Sequence, residues 1–251
     1  MSFETLTYAV QDAVAEIRLN RPHRMNALTL ESYDALERCL ERAEADPAVR
    51  VVLLGGEGRA FCAGADLKEE MDANRLIACE QSLARKLHAL PKPVIAAVHG
   101  PALGAGAEII LACDFILMAR DASFALPEIG LGNFLGGGAS ALLPRWVGLA
   151  KAREIVMLGL KIDAVEAHAI GLACRIFSNE GFSEAARAFA LEVASQPPLP
   201  LRLAKEQFNR IWFQNFEETL EAEAQAMREC LDSPDWQEKL ADFRKRRQPP
   251  P

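Results

Sequence analysis

Residues 94–113 form a stretch of membrane-spanning length that cannot span a membrane. His99, Pro101 and Glu108 lie within it, and glycines occupy positions 100, 104 and 106. A spanning helix would bury those polar groups and breakers in hydrocarbon. The stretch therefore reads as a buried strand, a break, and a helix starting near Gly104 or Ala105, inside a water-exposed protein with a large core. It also sets a question: why an apolar segment carries Glu108.

The rest of the composition fits such a core. The chain has 251 residues, half of them hydrophobic and a quarter charged, which suits one large domain with a lesser appendage and excludes general disorder. Lys and Arg number 28 against 35 Asp and Glu, a net charge of −7, so an extended basic surface for nucleic acid is not expected. Six widely spaced cysteines form no C-x-x-C pair and read as free thiols in a reducing, cytoplasmic compartment. Four scattered histidines lack metal-ligand spacing, so no metal is expected. The N-terminus shows no basic start followed by an apolar run, so no signal peptide is expected.

Strand and helix patterns alternate. Residues 13–19 alternate with a period of two, and Thr29 can cap a helix carrying Leu30, Tyr33, Leu36, Leu40 and Ala43 and ending near Asp46. Residues 49–54 and 94–98 are continuous apolar runs, the pattern of buried strands. A loop over 57–66 leads into a helical stretch reaching about Leu90. Short strands are predicted at 115–119 and 123–125, and a Gly-rich loop over 130–138 opens a helix over 139–147. Beyond Pro197-Pro198 the pattern is helical, with Phe208, Ile211 and Trp212 on one face, then 216–231, then a last helix from about Asp235 into Arg247. The alternation argues α/β, with a core over 1–195 and a helical region over 196–251.

Three segments can carry chemistry. Gly104-Ala105-Gly106-Ala107-Glu108 lets backbone N–H groups at a helix start face a developing anion; otherwise it is a packing turn with Glu108 exposed. Phe61-Cys62-Ala63-Gly64-Ala65-Asp66-Leu67 is a second loop of small residues; otherwise it is a compact turn in which Asp66 caps the next helix. Glu128 precedes a Gly-rich loop. Glu108 and Glu128 are 20 residues apart, so only the fold can bring them together, and two carboxyls in different environments are what proton transfer at carbon or water needs.

Together with Lys92-Pro93-Val94-Ile95-Ala96-Ala97-Val98-His99-Gly100, Cys113-Asp114 and Pro127-Glu128-Ile129-Gly130-Leu131-Gly132, these segments resemble the enoyl-CoA hydratase/isomerase (crotonase) superfamily over residues 5–247. The resemblance implies a spiral of repeated ββα units with C-terminal helices that support trimers or dimers of trimers. It implies an acyl-CoA thioester substrate, coenzyme A entering as part of the substrate, and no prosthetic group. The oxyanion hole maps to the N–H groups of Ala65 and Ala105, the acid/base pair to Glu108 and Glu128, and the loop that helps hold the catalytic water to Gly136. CoA contacts map to Ala63, Ala65, Asp66, Leu67, Lys245 and Arg246. The implied activity is reversible hydration of a 2-enoyl-CoA, most commonly in fatty-acid β-oxidation. Ala105, Phe134, Leu135 and Lys239 depart from the usual residues, Ala105 with a methyl on the pocket wall and Phe134 and Leu135 near the expected acyl end.

Other readings stay open. Another crotonase-type enzyme would isomerise, hydrolyse or cleave an acyl-CoA; both glutamates are present, which favours hydration. A non-catalytic RNA or acyl-CoA binder, or a helical scaffold, would not need them, and the acidic charge opposes RNA as the main partner. From Trp236 onward five basic residues face two acidic ones, leaving +3 on this segment, so a small anion gripped locally is not excluded.

Overall fold

The computed structural model describes residues 4–212 and 216–246. The chain opens with a hairpin of β1 (Leu6–Gln11) and β2 (Val14–Leu19), turned at Asp12 and Ala13, both at positive φ. Then follow α1 (Leu30–Ala45), β3 (Val51–Gly56), α2 (Ala73–Ala89), β4 (Val94–Val98), β5 (Pro101–Leu103) and α3 (Ala105–Leu111). Next come β6 (Phe115–Ala119), β7 (Ser123–Ala125), α4 (Ala139–Val147), α5 (Leu149–Leu158), β8 (Lys161–Asp163), α6 (Ala164–Ala169), β9 (Arg175–Phe177) and α7 (Phe182–Ala194). The chain then continues as α8 (Pro198–Trp212), α9 (Phe216–Leu231) and α10 (Pro234–Arg246).

The strands form two sheets. The larger has the order β1-β2-β3-β4-β6-β9, all parallel after the first hairpin, and the smaller is β5-β7-β8. β3 and β4 are buried at every residue, which is why they read as unbroken apolar runs rather than alternating ones. Successive turns of the spiral each place a strand in the large sheet, an extended segment in the small one, then a helix. β4, β5 and α3 make one turn, and β6, β7 and α4 the next. The turn before them uses β3, then Cys62, which bridges Ala102 of β5, then α2. Residues 65, 105 and 128 all lie just beyond their small-sheet segments, so three consecutive turns deliver them to one edge.

Gly106 makes this stacking possible. A methyl group built on it would lie 2.6 Å from Cys62 Cβ and 2.7 Å from Cys62 O, so only glycine lets the first turn of α3 rest on the preceding turn of the spiral.

Several boundaries differ from the sequence reading. The helix after the 57–66 loop begins only at Ala73, capped by the Asp72 side chain on Arg75 N, and Asp66 caps no helix. β1, β5, β8 and β9 are additional to the strands read from the sequence; all but the first span 3 residues, too few to show a period. Phe208 is exposed, and the side chains of Ile211 and Trp212, expected on the same face, lie outside the described residues, as do those of Lys239 and Arg246.

Candidate active site

Ala105 is the first residue of α3, so its N–H has no intrahelical acceptor. Ala65 lies between two bonds that tie its neighbours to Leu28: Leu28 N–H donates to Gly64 O and Asp66 N–H to Leu28 O, each at 2.8 Å. That bridge geometry turns the Ala65 N–H to the opposite side. The two segments abut, since a methyl on Gly64 would lie 3.5 Å from Ala105 N. The site therefore offers two backbone donors on neighbouring strands of chain.

Glu108 sits one turn into α3 and is 4% exposed, which removes the alternative of a surface glutamate beside a packing turn. Its Oε1 accepts from Gly137 N–H at 2.9 Å and Gly136 N–H at 3.2 Å. Gly136 thus orients Glu108 directly, a role distinct from the water-holding one implied by the resemblance. Glu128 is also buried; its Oε1 lies 3.1 Å from where a methyl on Gly104 would be, and its Oε2 has no partner among the described residues. The fold brings Ala65, Ala105, Glu108, Glu128 and Gly136 together.

Two further carboxyls join them, and no local pattern in the sequence marks either. Glu80 of α2 is buried, with Oε1 accepting from Tyr33 OH at 3.2 Å. Glu223 of α9 is buried and accepts from the N–H groups of Gly138 and Ser140 and from the Ser140 hydroxyl, so a C-terminal helix clamps the loop that clamps Glu108. On sequence each looks like an ordinary polar position of an amphipathic helix. A Gly136 methyl would lie 2.1 Å from Glu80 Oε2, so the glycine loop is pressed against that carboxyl from the other side.

Four carboxyls in so dry a place cannot all ionise. Burial pushes Glu80 up to about 8, with the Tyr33 hydrogen bond pulling it back and charge on Glu128 and Glu223 adding to the rise. Burial pushes Glu128 up to about 7. Burial, then the carboxylates of Glu80, Glu128 and Glu223, raises Glu108, against the pull of the Gly137 N–H. Burial also raises Glu223, opposed by its donors on Ser140 and Gly138. Such groups hold protons in the folded chain that the unfolded chain has released. The stability they confer is full below about pH 4.5 and is lost as pH rises through the folded values near 7 and 8. In urea unfolding, the Glu80→Gln variant is therefore expected to gain stability relative to wild type as pH rises from about 5 to about 9. A pH-independent difference would contradict the buried, protonated state of Glu80.

The remaining site residues fall at the rim. Asp66 is buried and paired with Arg21 at 3.0 Å, its Oδ1 accepting from Lys68 N–H. Ala63 N–H donates to Met25 O at 3.0 Å. Arg244 Nε of α10 donates to Leu67 O at 3.3 Å, bringing the basic end of α10 to this turn, where Lys245 is exposed. Burial pushes the Cys62 thiol up to about 12, which excludes it as a thiolate nucleophile. Among the described residues no His, Cys, Asp or Glu cluster is arranged to hold a metal, and no helix is long and apolar enough to cross a membrane.

A small cavity of about 10 Å³ opens beside Ala105 and Glu108 and runs toward Leu83 and Leu87. Ala105 lines it, but Phe134 and Leu135, expected at the acyl end, do not.

Comparison with known proteins identifies the family. A sequence profile described as enoyl-CoA hydratase/isomerase matches residues 9–250. The chain is 32% identical over 98% of its length to a crotonyl-CoA hydratase of Syntrophomonas wolfei, covering 97% of that protein. It is 34% identical over 96% of its length to a 1,2-epoxyphenylacetyl-CoA isomerase of Escherichia coli, covering 95% of that protein. The crystal structure of an enoyl-CoA hydratase from Mycobacterium avium subsp. paratuberculosis superposes with a TM-score of 0.91 at 32% identity, over 96% of this chain and 99% of that one. With the spiral of ββα turns, these matches establish that the chain belongs to the enoyl-CoA hydratase/isomerase family and has the crotonase fold.

Proposed function

We propose that this protein hydrates 2-enoyl-CoA thioesters, adding water reversibly across the α,β double bond to give 3-hydroxyacyl-CoA. The observation that carries the reading is the meeting of two unpaired backbone donors, on Ala65 and Ala105, with two buried carboxyls, on Glu108 and Glu128. Attack on an enoyl thioester drives electrons onto the thioester oxygen, and two fixed N–H donors in a dry site stabilise that charge.

In the proposed reaction the carboxylate of Glu108 takes a proton from water as the water oxygen bonds to Cβ. The π electrons shift to make the thioester enolate, whose oxygen rests on the two N–H groups. Glu128, in its acid form, delivers a proton to Cα as the carbonyl reforms. Proton exchange between the two carboxyls then restores the starting state. The roles are assigned from the hydrogen bonds: the Gly136 and Gly137 N–H groups favour the Glu108 anion against the burial and neighbouring charge that raise it, whereas Glu128 Oε2 has no partner among the described residues.

Coenzyme A enters as part of the substrate, with no prosthetic group. Ala63, Ala65, Asp66 and Leu67 form the turn beside it, and the basic end of α10 faces its phosphates. Substituting Lys245 and Arg246 with Ala together is expected to raise KM several-fold with little change in kcat, because a remote anion contact is made equally in ground and transition states. A fall in kcat at constant KM would place these residues elsewhere in the cycle. Association into trimers or pairs of trimers is proposed as well; Leu149, Met157, Leu158 and Val165 expose apolar surface on α5 and α6. A role in cytoplasmic fatty-acid β-oxidation completes the proposal.

The test is product identification with but-2-enoyl-CoA and but-3-enoyl-CoA. Formation of 3-hydroxybutanoyl-CoA from the first supports hydration. Double-bond migration in the second without hydration of the first would favour an enoyl-CoA isomerase.

A further inference from the structure

The backbone donor on Ala65 has no side chain to aim it, so its direction is set by what the surrounding chain is bonded to. Residues 21–28 and the 57–66 loop meet behind it, and Asn26 joins the two. Asn26 is 1% exposed, and its amide makes three hydrogen bonds, all to backbone. Oδ1 accepts from Arg21 N–H at 2.9 Å, while Nδ2 donates to Glu57 O at 2.9 Å and to Ala60 O at 2.8 Å. Asn26 N–H donates in turn to Arg21 O at 2.9 Å, so residues 21 and 26 hold each other and fix the amide plane. The Asn26 backbone lies at φ +57°, a left-handed conformation that asparagine adopts more readily than most residues. Gly56, the last residue of β3, leaves room for the amide: a methyl there would lie 2.7 Å from Asn26 Nδ2. From Asn26 the pairing runs in register to the donor. Ala63 N–H bonds Met25 O at 3.0 Å, and Leu28 then brackets Ala65 through Gly64 O and Asp66 N–H.

We propose that Asn26 is a positioning residue for the oxyanion hole. By pinning Glu57 and Ala60 to the 21–28 segment, it fixes the register in which Leu28 brackets Ala65, and so the direction of the Ala65 N–H. It acts through Ala65 rather than on the substrate. The proposal rests on the acyl-CoA reading above, in which the N–H groups of Ala65 and Ala105 hold the thioester oxygen. An amide suits the task because it offers one acceptor to Arg21 N–H and two donors to the two carbonyls. A carboxyl of the same shape keeps the acceptor but presents either an anion or a single donor to those carbonyls. Ala60 is wholly buried, so its carbonyl, once deprived of the amide, draws the loop toward another partner. A displacement of about 1 Å in a catalytic group is enough to cost on the order of 10²-fold in rate.

Asn26→Gly removes the amide and keeps the left-handed backbone accessible. It is expected to lower kcat for but-2-enoyl-CoA by about 10–100-fold, with KM within a few-fold of wild type, because a misaimed donor is felt mainly as charge develops on the oxygen. Infrared difference spectra of butanoyl-CoA, labelled with heavy carbon at the thioester carbonyl, read the hole without turnover. Wild type is expected to lower the carbonyl stretch of the bound thioester relative to the free one, and Asn26→Gly to lose about half of that shift or more. Asn26→Asp is expected to lose it similarly at about pH 8. Relative to wild type at the same pH, it should recover part at about pH 5, where the acid form donates to one of the two carbonyls. Wild-type kcat in a folded Gly variant, a loss of kcat with an unchanged carbonyl shift, or a rise in KM alone would each overturn the proposal. Should the Gly variant not fold, the carbonyl shift of the isosteric Asp variant decides. The two proposals fail separately. Absence of but-2-enoyl-CoA hydration, with the infrared difference between wild type and variants intact, overturns the hydratase reading alone. Hydration with the same carbonyl shift in wild type and variants overturns this one.

Discussion

Glu108→Gln is expected to lower kcat for hydration of but-2-enoyl-CoA by about 10²–10⁴-fold while KM stays within a few-fold of wild type. The substitution isolates proton transfer. The amide oxygen of Gln can still accept from Gly136 and Gly137, which now bond Glu108 Oε1 at 3.2 and 2.9 Å, so the loop and α3 keep their positions. What the amide cannot do is take a proton from water. Loss of net charge also relieves the neighbouring carboxyls, so the variant should be at least as stable as wild type at neutral pH. Steady-state kinetics with thermal unfolding as the companion measurement separates the two effects. Wild-type turnover in a folded Gln variant would remove Glu108 from the reaction.

Ala105→Pro is expected to reduce kcat/KM by about 10²–10³-fold, the effect of losing one oxyanion donor worth about 3–4 kcal/mol. A backbone donor is not removed by ordinary side-chain substitution, but its position permits a direct test. Ala105 is the first residue of α3, where proline is tolerated because its missing N–H serves no helical bond. The helix proper begins with Glu108 N–H donating to Gly104 O at 3.0 Å, which the substitution leaves in place. Ala105→Gly keeps the N–H and trims only the methyl that lines the cavity, so its activity should remain within a few-fold of wild type. Circular dichroism and a crotonyl thioester assay on both variants check the pair. Equal losses in Pro and Gly would assign the effect to packing, and no loss in Pro would dismiss the donor.

The order of elements was largely legible because burial writes itself into composition. β4, β6, β7, α4 and α9 have the bounds their apolar runs and glycine or proline punctuation indicate. α1 begins where Thr29 could cap it, and the Thr29 hydroxyl does accept from Ser32 N–H. The start of α2 lies later than the sequence pattern suggests because residues 67–72 carry no strong breaker, and only the Asp72 cap marks the boundary. The 3-residue strands of the small sheet owe their conformation to their neighbours rather than to any pattern of their own. In the site, the small-residue loops and both paired glutamates could be named from motif order, but no spacing rule could place Glu108 beside Glu128. That proximity comes from the spiral stacking of consecutive turns. Glu80 and Glu223 had no local mark at all, since a helix surface position and a buried one use the same residue until the partner helix is known.

The clamp made by Glu223 has a consequence for how the enzyme comes into being. The loop that holds Glu108, the proposed base, is itself held from α9, some 85 residues further along the chain than Gly138. A ribosome-bound chain that has released only the spiral would have its donors and carboxyls without the tether that orders them. On the proposed scheme, catalytic competence is coupled to the docking of α9, and a product of premature termination upstream of that helix is expected to be inactive.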